Sequence, residues 1–207
     1  MNKILVILGP TATGKSSLAV RLAKKWNGEV ISADSRQVYK GLDIGTGKIT
    51  KKEMMDIPHH LLDIMSPKKT FTVAEWKKLA DEKIKDMLSR GKLPIICGGT
   101  GFYIQSITDG VVLPEVPPNA KLRKNLLKKS ADELVIILRK LDPKRLKTID
   151  QKNPVRLIRA IEIASKIGKV PEFKKEKSSY DILQIGLKLP DEKLRQKIHD
   201  RLVERMK

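Results

Sequence analysis

The stretch Gly9-Pro10-Thr11-Ala12-Thr13-Gly14-Lys15-Ser16 constrains this chain more than any other. It satisfies G-x-x-x-x-G-K-[ST] in the context that pattern needs, a strand before it and a helix after it. "KILVIL" at 3–8 is a continuous apolar run, and "SSLAVRLAKKW" repeats apolar residues at helical spacing. In that setting Gly9 and Gly14 let the backbone wrap with its amides inward, while Pro10, Thr11, Ala12 and Thr13 complete the turn. Lys15 adds a point charge, the helix N-terminus favours anions, and the Ser16 hydroxyl can bind Mg²⁺. The loop is built to hold phosphates. By itself it leaves open whether they belong to a nucleotide or to another pyrophosphate.

Downstream, "GEVISADS" gives a second short strand, a helix is expected near 72–90, and "LPIICGGTG" is another apolar run ended by glycines. Strands alternating with helices predict an α/β fold, a P-loop NTPase-like parallel sheet flanked by helices. Near Gly110 the pattern changes, because "GVVLPEVPPNA" is too rich in proline for a core strand. From about Asn119 to Ser165 the text is helical in separate pieces, so a small basic α-helical insertion domain is expected. "DILQIGLKLP" reads as a strand returning to the sheet and "DEKLRQKIHDRLVERMK" as a final helix. The expected organisation is therefore a core over 1–109, an insert over 110–180, and a return strand and helix of the core over 181–207.

Charge narrows the partners. Lys plus Arg number 43 against 24 Asp plus Glu, a net +19, and the excess is largest at 110–180, with 18 basic and 8 acidic residues. Such a surface attracts polyanions, nucleic acid foremost. Cys97 is the only cysteine, which excludes an intramolecular disulfide and the usual cysteine-based metal spacings and fits a cytoplasmic location. No apolar run has the length of a membrane span.

The next requirement is an acid beside the phosphates. "LPIICGGTG" ends in Gly98, Gly99 and Thr100 with no carboxylate, so the usual position for supporting Mg²⁺ in phosphoryl transfer is empty of acid. This counts against the alternative of a small-molecule or nucleoside kinase. Asp34, in "SADSRQVYKGLDIGTGK", is the candidate, placed to take a proton from a nucleophile or to hold a metal, with a turn-forming role as the plainer reading. Asp43 is the second acid nearby. His59 and His60 are adjacent and point apart on a strand or loop, which argues against a shared metal and for a structural or channel role. His199 reads as a surface residue, and Phe102 and Tyr103 as packing or stacking residues.

"GPTATGKS", "SADSRQVYKGLDIGTGK", "PHHLLDI", "GGTGFY" and "NPVRLIRAIE", in this order and spacing, resemble the tRNA dimethylallyltransferase family over nearly the whole chain. The resemblance implies that the loop holds the diphosphate of dimethylallyl diphosphate with Mg²⁺. The dimethylallyl group then passes to the exocyclic N6 amine of the adenosine 3′-adjacent to the anticodon of tRNA, flipped out of its stack. It implies that Asp34 is general base or orienting acceptor, with Thr100 near it, and that Ser35, Arg36 and Gln37 touch the flipped base and its neighbours. Arg123 and the segment Val155-Arg156-Leu157-Ile158-Arg159 are implied to meet the anticodon stem-loop. A monomer is expected. "DIGTGK" carries Gly47 where the family often has alanine. Members of the family are longer, and a tRNA-binding remnant without turnover is the further alternative.

Overall fold

Ile4, Leu5, Val6 and Ile7 are each at most 3% exposed, which requires a strand covered on both faces. In the computed structural model, which describes residues 2–111, 114–171 and 178–206, this run is β1 (Lys3–Leu8). It lies in a five-stranded sheet with β2 (Gly28–Ser32), β3 (His59–His60), β4 (Leu93–Gly98) and β5 (Asp181–Gly186), in the order β3-β2-β4-β1-β5. Every pairing is parallel, with Leu5 opposite Ile95, Val30 opposite both Ile95 and His59, and Lys3 opposite Asp181.

Alternate residues of the strands build two cores. One face sets Ile4, Val6, Ile31 and Ile96 against α3 (Val73–Ser89) and α4 (Gly101–Thr108), where Trp76, Ile84, Tyr103 and Ile104 are buried. Trp76 is fully buried, its indole N–H donates to the Ser32 carbonyl at 2.9 Å, and its ring stacks on Tyr103 with centroids 4.8 Å apart. The other face sets Leu5, Ile7, Val30, Ile95 and Cys97 against Ala19 and Ala23 of α1 (Lys15–Lys25). Thr72 and Glu75 form a reciprocal capping box that starts α3, satisfying amides the first turn would leave orphaned. A one-turn helix, α2 (Lys51–Met54), starts on the same device through Thr50 and Glu53.

The chain divides into two compact units, Met1–Val111 with Lys175–Lys207, and Val112–Lys174. The second unit holds α5 (Ala120–Leu126), α6 (Ala131–Leu141), α7 (Pro143–Leu146) and α8 (Pro154–Ile167) around its own core of Leu126, Leu134, Leu138, Leu157 and Ile161. After β5, α9 (Asp191–Met206) ends the first unit, with none of its residues buried. Among the described residues no helix is long and apolar enough to cross a membrane.

The sheet and the helical insert match the α/β architecture expected from the alternating pattern. The short elements β3, α2 and α7 were not anticipated, since two to four residues carry no period. Leu157 and Ile158, in the segment expected at the tRNA, are 0% and 5% exposed, and their side chains pack within the insert. Tyr103 is likewise a packing residue. The polar loop expected around "EFKKEKSSY" falls mostly on 172–177, outside the described residues.

Candidate active site in the phosphate-loop cleft

β1 feeds directly into the phosphate loop, and α1 begins at Lys15. Gly14 stands at the helix N-cap with φ 91°, a left-handed conformation that a side chain would strain. It offers α1 no side-chain cap, and the first turn carries no acid, so the loop amides keep their anion-binding capacity. The Thr13 hydroxyl donates to the Pro10 carbonyl at 2.9 Å, and the Lys15 ammonium folds back onto the same oxygen. Burial lowers the pKa of Lys15, partly offset by Cys97 and Asp34 nearby.

Asp34 lies just beyond the end of β2. Its Oδ1 accepts from the Arg36 amide at 2.9 Å and the Gln37 amide at 3.4 Å, and its Oδ2 from the Gln37 side-chain amide at 3.4 Å. The turn-forming reading of Asp34 therefore holds, and these hydrogen bonds fix the orientation of the carboxylate. Thr100, the N-cap of α4, ties this turn to β4: its hydroxyl accepts from the Ser35 amide at 2.9 Å and donates to the Ser35 hydroxyl at 3.3 Å. The strands can approach this closely because Gly98 has no Cβ; one added there would stand 2.1 Å from the Ala33 carbonyl oxygen. Thr100 thus acts on the Asp34 turn as a positioning residue.

Lys15, Ser16, Asp34, Gln37, His59 and Arg201 all face one cleft, with a cavity of about 60 Å³. Arg201, on α9, was not read from the sequence as a site residue. Its guanidinium donates to the Gly47 carbonyl at 2.9 Å, and burial with Arg205 beside it lowers its pKa. The segment carrying Gly47 is pinned by Lys48, which is 5% exposed and pairs with Asp43 at 2.6 Å and with Asp63. Asp43 is thereby a partner of Lys48. Cys97 also lines the cleft, where burial pushes its thiol up to about 11. His59 and His60 do diverge: His59 faces the cleft, whereas the His60 ring meets Glu29, which also takes two hydrogen bonds from Arg90.

In the insert, Arg123 is held by Glu162 through two hydrogen bonds of 2.7 Å, and Arg159 donates to Glu162 at 3.3 Å and to the Val116 carbonyl at 2.8 Å. Glu162 is 2% exposed; burial disfavours its charge, but Arg123 and the Asn119 amide outweigh that and keep its pKa below the usual range. Arg156 and Val155 are exposed.

A glycine-turned loop between β1 and α1 at the C-terminal edge of a doubly covered parallel sheet, with a fixed carboxylate lining the same cleft, defines a P-loop protein. The chain belongs to the IPP transferase family, whose model matches residues 37–207. It is 47% identical over 205 residues to the tRNA dimethylallyltransferase of Anoxybacillus flavithermus, covering 97% of this chain and 66% of that protein. With the Leuconostoc mesenteroides tRNA dimethylallyltransferase the identity is 44%, covering 99% and 68%. The fold is similar to the crystal structure of the tRNA isopentenylpyrophosphate transferase from Bacillus halodurans, at TM-score 0.68 and 38% identity over 100% of this chain and 66% of that one. It is also similar to a eukaryotic dimethylallyltransferase acting on tRNA, at TM-score 0.85 and 32% identity over 99% and 52%. The chain spans about two thirds of the length of the curated relatives it matches.

Proposed function

We propose that the chain transfers a dimethylallyl group from dimethylallyl diphosphate to the exocyclic N6 amine of the adenosine 3′-adjacent to the anticodon in tRNA, releasing diphosphate. The observation that carries this reading is the convergence of Lys15, Ser16 and Arg201 with Asp34 in one cleft. Two cations and a ring of loop amides suit a diphosphate leaving group, and a single aimed carboxylate suits an amine that must lose a proton. The names of the relatives support the choice of donor and acceptor.

Among the described residues no group of three or more His, Cys, Asp and Glu could hold a metal ion. Mg²⁺ nevertheless fits, since it takes oxygen ligands from one or two side chains and from substrate phosphates while keeping waters. Ser16 supplies such an oxygen in the cleft. Bound with the diphosphate, Mg²⁺ would neutralise charge on the leaving group. In the transfer the amine nitrogen bonds to C1 of the allyl group, and the C–O bond breaks with its electron pair leaving on diphosphate. The amine proton passes to Asp34, where acceptance matters most as charge develops on nitrogen. Thr100 keeps the carboxylate in place through Ser35. Ser35, Arg36 and Gln37 border the incoming base, and Arg123, Val155, Arg156 and Arg159 offer the insert's contact to the anticodon stem-loop. We place this activity in the cytoplasm, in a monomer.

The test is incubation of the 207-residue chain with unmodified tRNA, Mg²⁺ and dimethylallyl diphosphate, followed by digestion and mass analysis of the nucleosides. Prenylated adenosine is expected. Its absence, when a full-length relative gives product in parallel, would refute transferase activity for this chain, and retained tRNA binding would then favour the remnant.

A further inference from the structure

His59 has one ring nitrogen accounted for and one not. Its Nδ1 lies 2.8 Å from the Ile57 carbonyl oxygen. A carbonyl can only accept, so the hydrogen sits on Nδ1 and the neutral ring presents a bare lone pair at Nε2. That nitrogen is buried and has no hydrogen-bond partner among the described residues. His59 is paired in register with Val30, so its side chain lies on the α1 side of the sheet, the side from which the phosphate loop's helix rises. There it faces the same cleft as Ser16 and Asp34.

A buried acceptor left without a donor is costly, which points to a donor that arrives with the ligand. Diphosphate oxygens complexed to magnesium are deprotonated and can only accept, and the Lys15 ammonium is drawn to those oxygens when they arrive. A magnesium ion bound to phosphates retains several of its waters, and those waters are donors. We propose that His59 is a positioning residue of the cleft, its Nε2 accepting a hydrogen bond from water that a magnesium-bound diphosphate carries in. This rests on the reading of the cleft as a diphosphate site.

The probe is inorganic pyrophosphate with Mg²⁺, titrated calorimetrically into the full chain and its variants. His59→Asn keeps an amide where Nδ1 meets Ile57 and removes the acceptor at Nε2, whereas His59→Gln places an amide oxygen close to the Nε2 position. Expected are an Asn variant that unfolds at the wild-type temperature yet binds about tenfold more weakly, and a Gln variant that recovers most of the loss. In ¹⁵N spectra of the wild-type chain, the His59 Nε2 resonance should move on saturation with magnesium pyrophosphate. Wild-type affinity in the Asn variant overturns the proposal, as does a Gln variant as weak as Asn or an Nε2 resonance that stays still. Should the Asn variant not fold, the spectrum of the wild-type chain decides alone. Failure of the wild-type chain to bind magnesium pyrophosphate removes the diphosphate reading itself, a different result from binding that ignores His59.

Discussion

Asp34 does two jobs with one carboxylate. It accepts hydrogen bonds from the Arg36 and Gln37 amides, and it faces the phosphate-loop cleft. Removing it should therefore act on the chemical step more than on tRNA affinity. Asp34→Ala is expected to slow prenyl transfer by roughly 10²–10⁴-fold, the usual range for a lost general base. Its tRNA affinity in a filter-binding assay should change little. An equal loss in both measurements would reduce Asp34 to a turn former. The Lys15 ammonium, folded onto the Pro10 carbonyl, is the group that must turn outward when phosphates arrive. Lys15→Ala should accordingly weaken pyrophosphate binding while leaving the insert and its affinity for tRNA unchanged.

At the scale of elements, α8 and α5 are joined by a buried carboxylate. Glu162 receives two hydrogen bonds from Arg123, one from Arg159 and one from the Asn119 amide. Glu162→Ala would leave those donors unmatched, at a cost of roughly 1–3 kcal/mol to the insert, because the two guanidinium groups are partly open to water. Thermal unfolding or limited proteolysis of 112–174 would read this loss, and resistance equal to wild type would count against it. On the other unit, the Arg90 guanidinium and the His60 ring hold the Glu29 carboxyl down to about 2. A folded-state pKa below the unfolded value contributes stability above the unfolded pKa and loses it as pH falls through the folded one. The Glu29 contribution should thus fade between about pH 4.5 and pH 2. In Glu29→Gln that part of the acid dependence of unfolding should vanish.

These elements also show where sequence reading succeeds. The phosphate loop was legible because all eight of its residues are contiguous and bracketed by two periodic segments, so local chemistry decides it. Asp34 was legible because it follows an apolar run. Arg201 was not, since its place in the cleft depends on how α9 returns to the sheet, and nothing local marks it. Glu162 looked like one acid on an amphipathic helix until its partners on α5 were known. Leu157 and Ile158 were assigned by their segment, whereas helical geometry sends their side chains inward and those of Val155 and Arg156 outward.

For the whole molecule the governing quantity is the net charge of +19. RNA binding on such a surface should be dominated by phosphate contacts and fall steeply with salt. Arg156 is 66% exposed, with Asp150 no nearer than 3.8 Å, and is free to reach a phosphate. Arg156→Ala is expected to lower the slope of log affinity against log salt by about one contact. An unchanged slope would take Arg156 out of the interface. Arg123 should behave differently, because its loss also frees the buried Glu162 charge and so lowers stability together with affinity.

The position of β1 between β4 and β5 has a temporal side. Lys3 is paired with Asp181, so the strand carrying the phosphate loop has one edge open throughout synthesis until β5 emerges. The helical insert, with its own core, is made in the meantime and can fold while the sheet waits. A nascent chain halted within the insert would expose an apolar strand edge to its neighbours on the polysome, making the order of emergence itself a hazard for this protein.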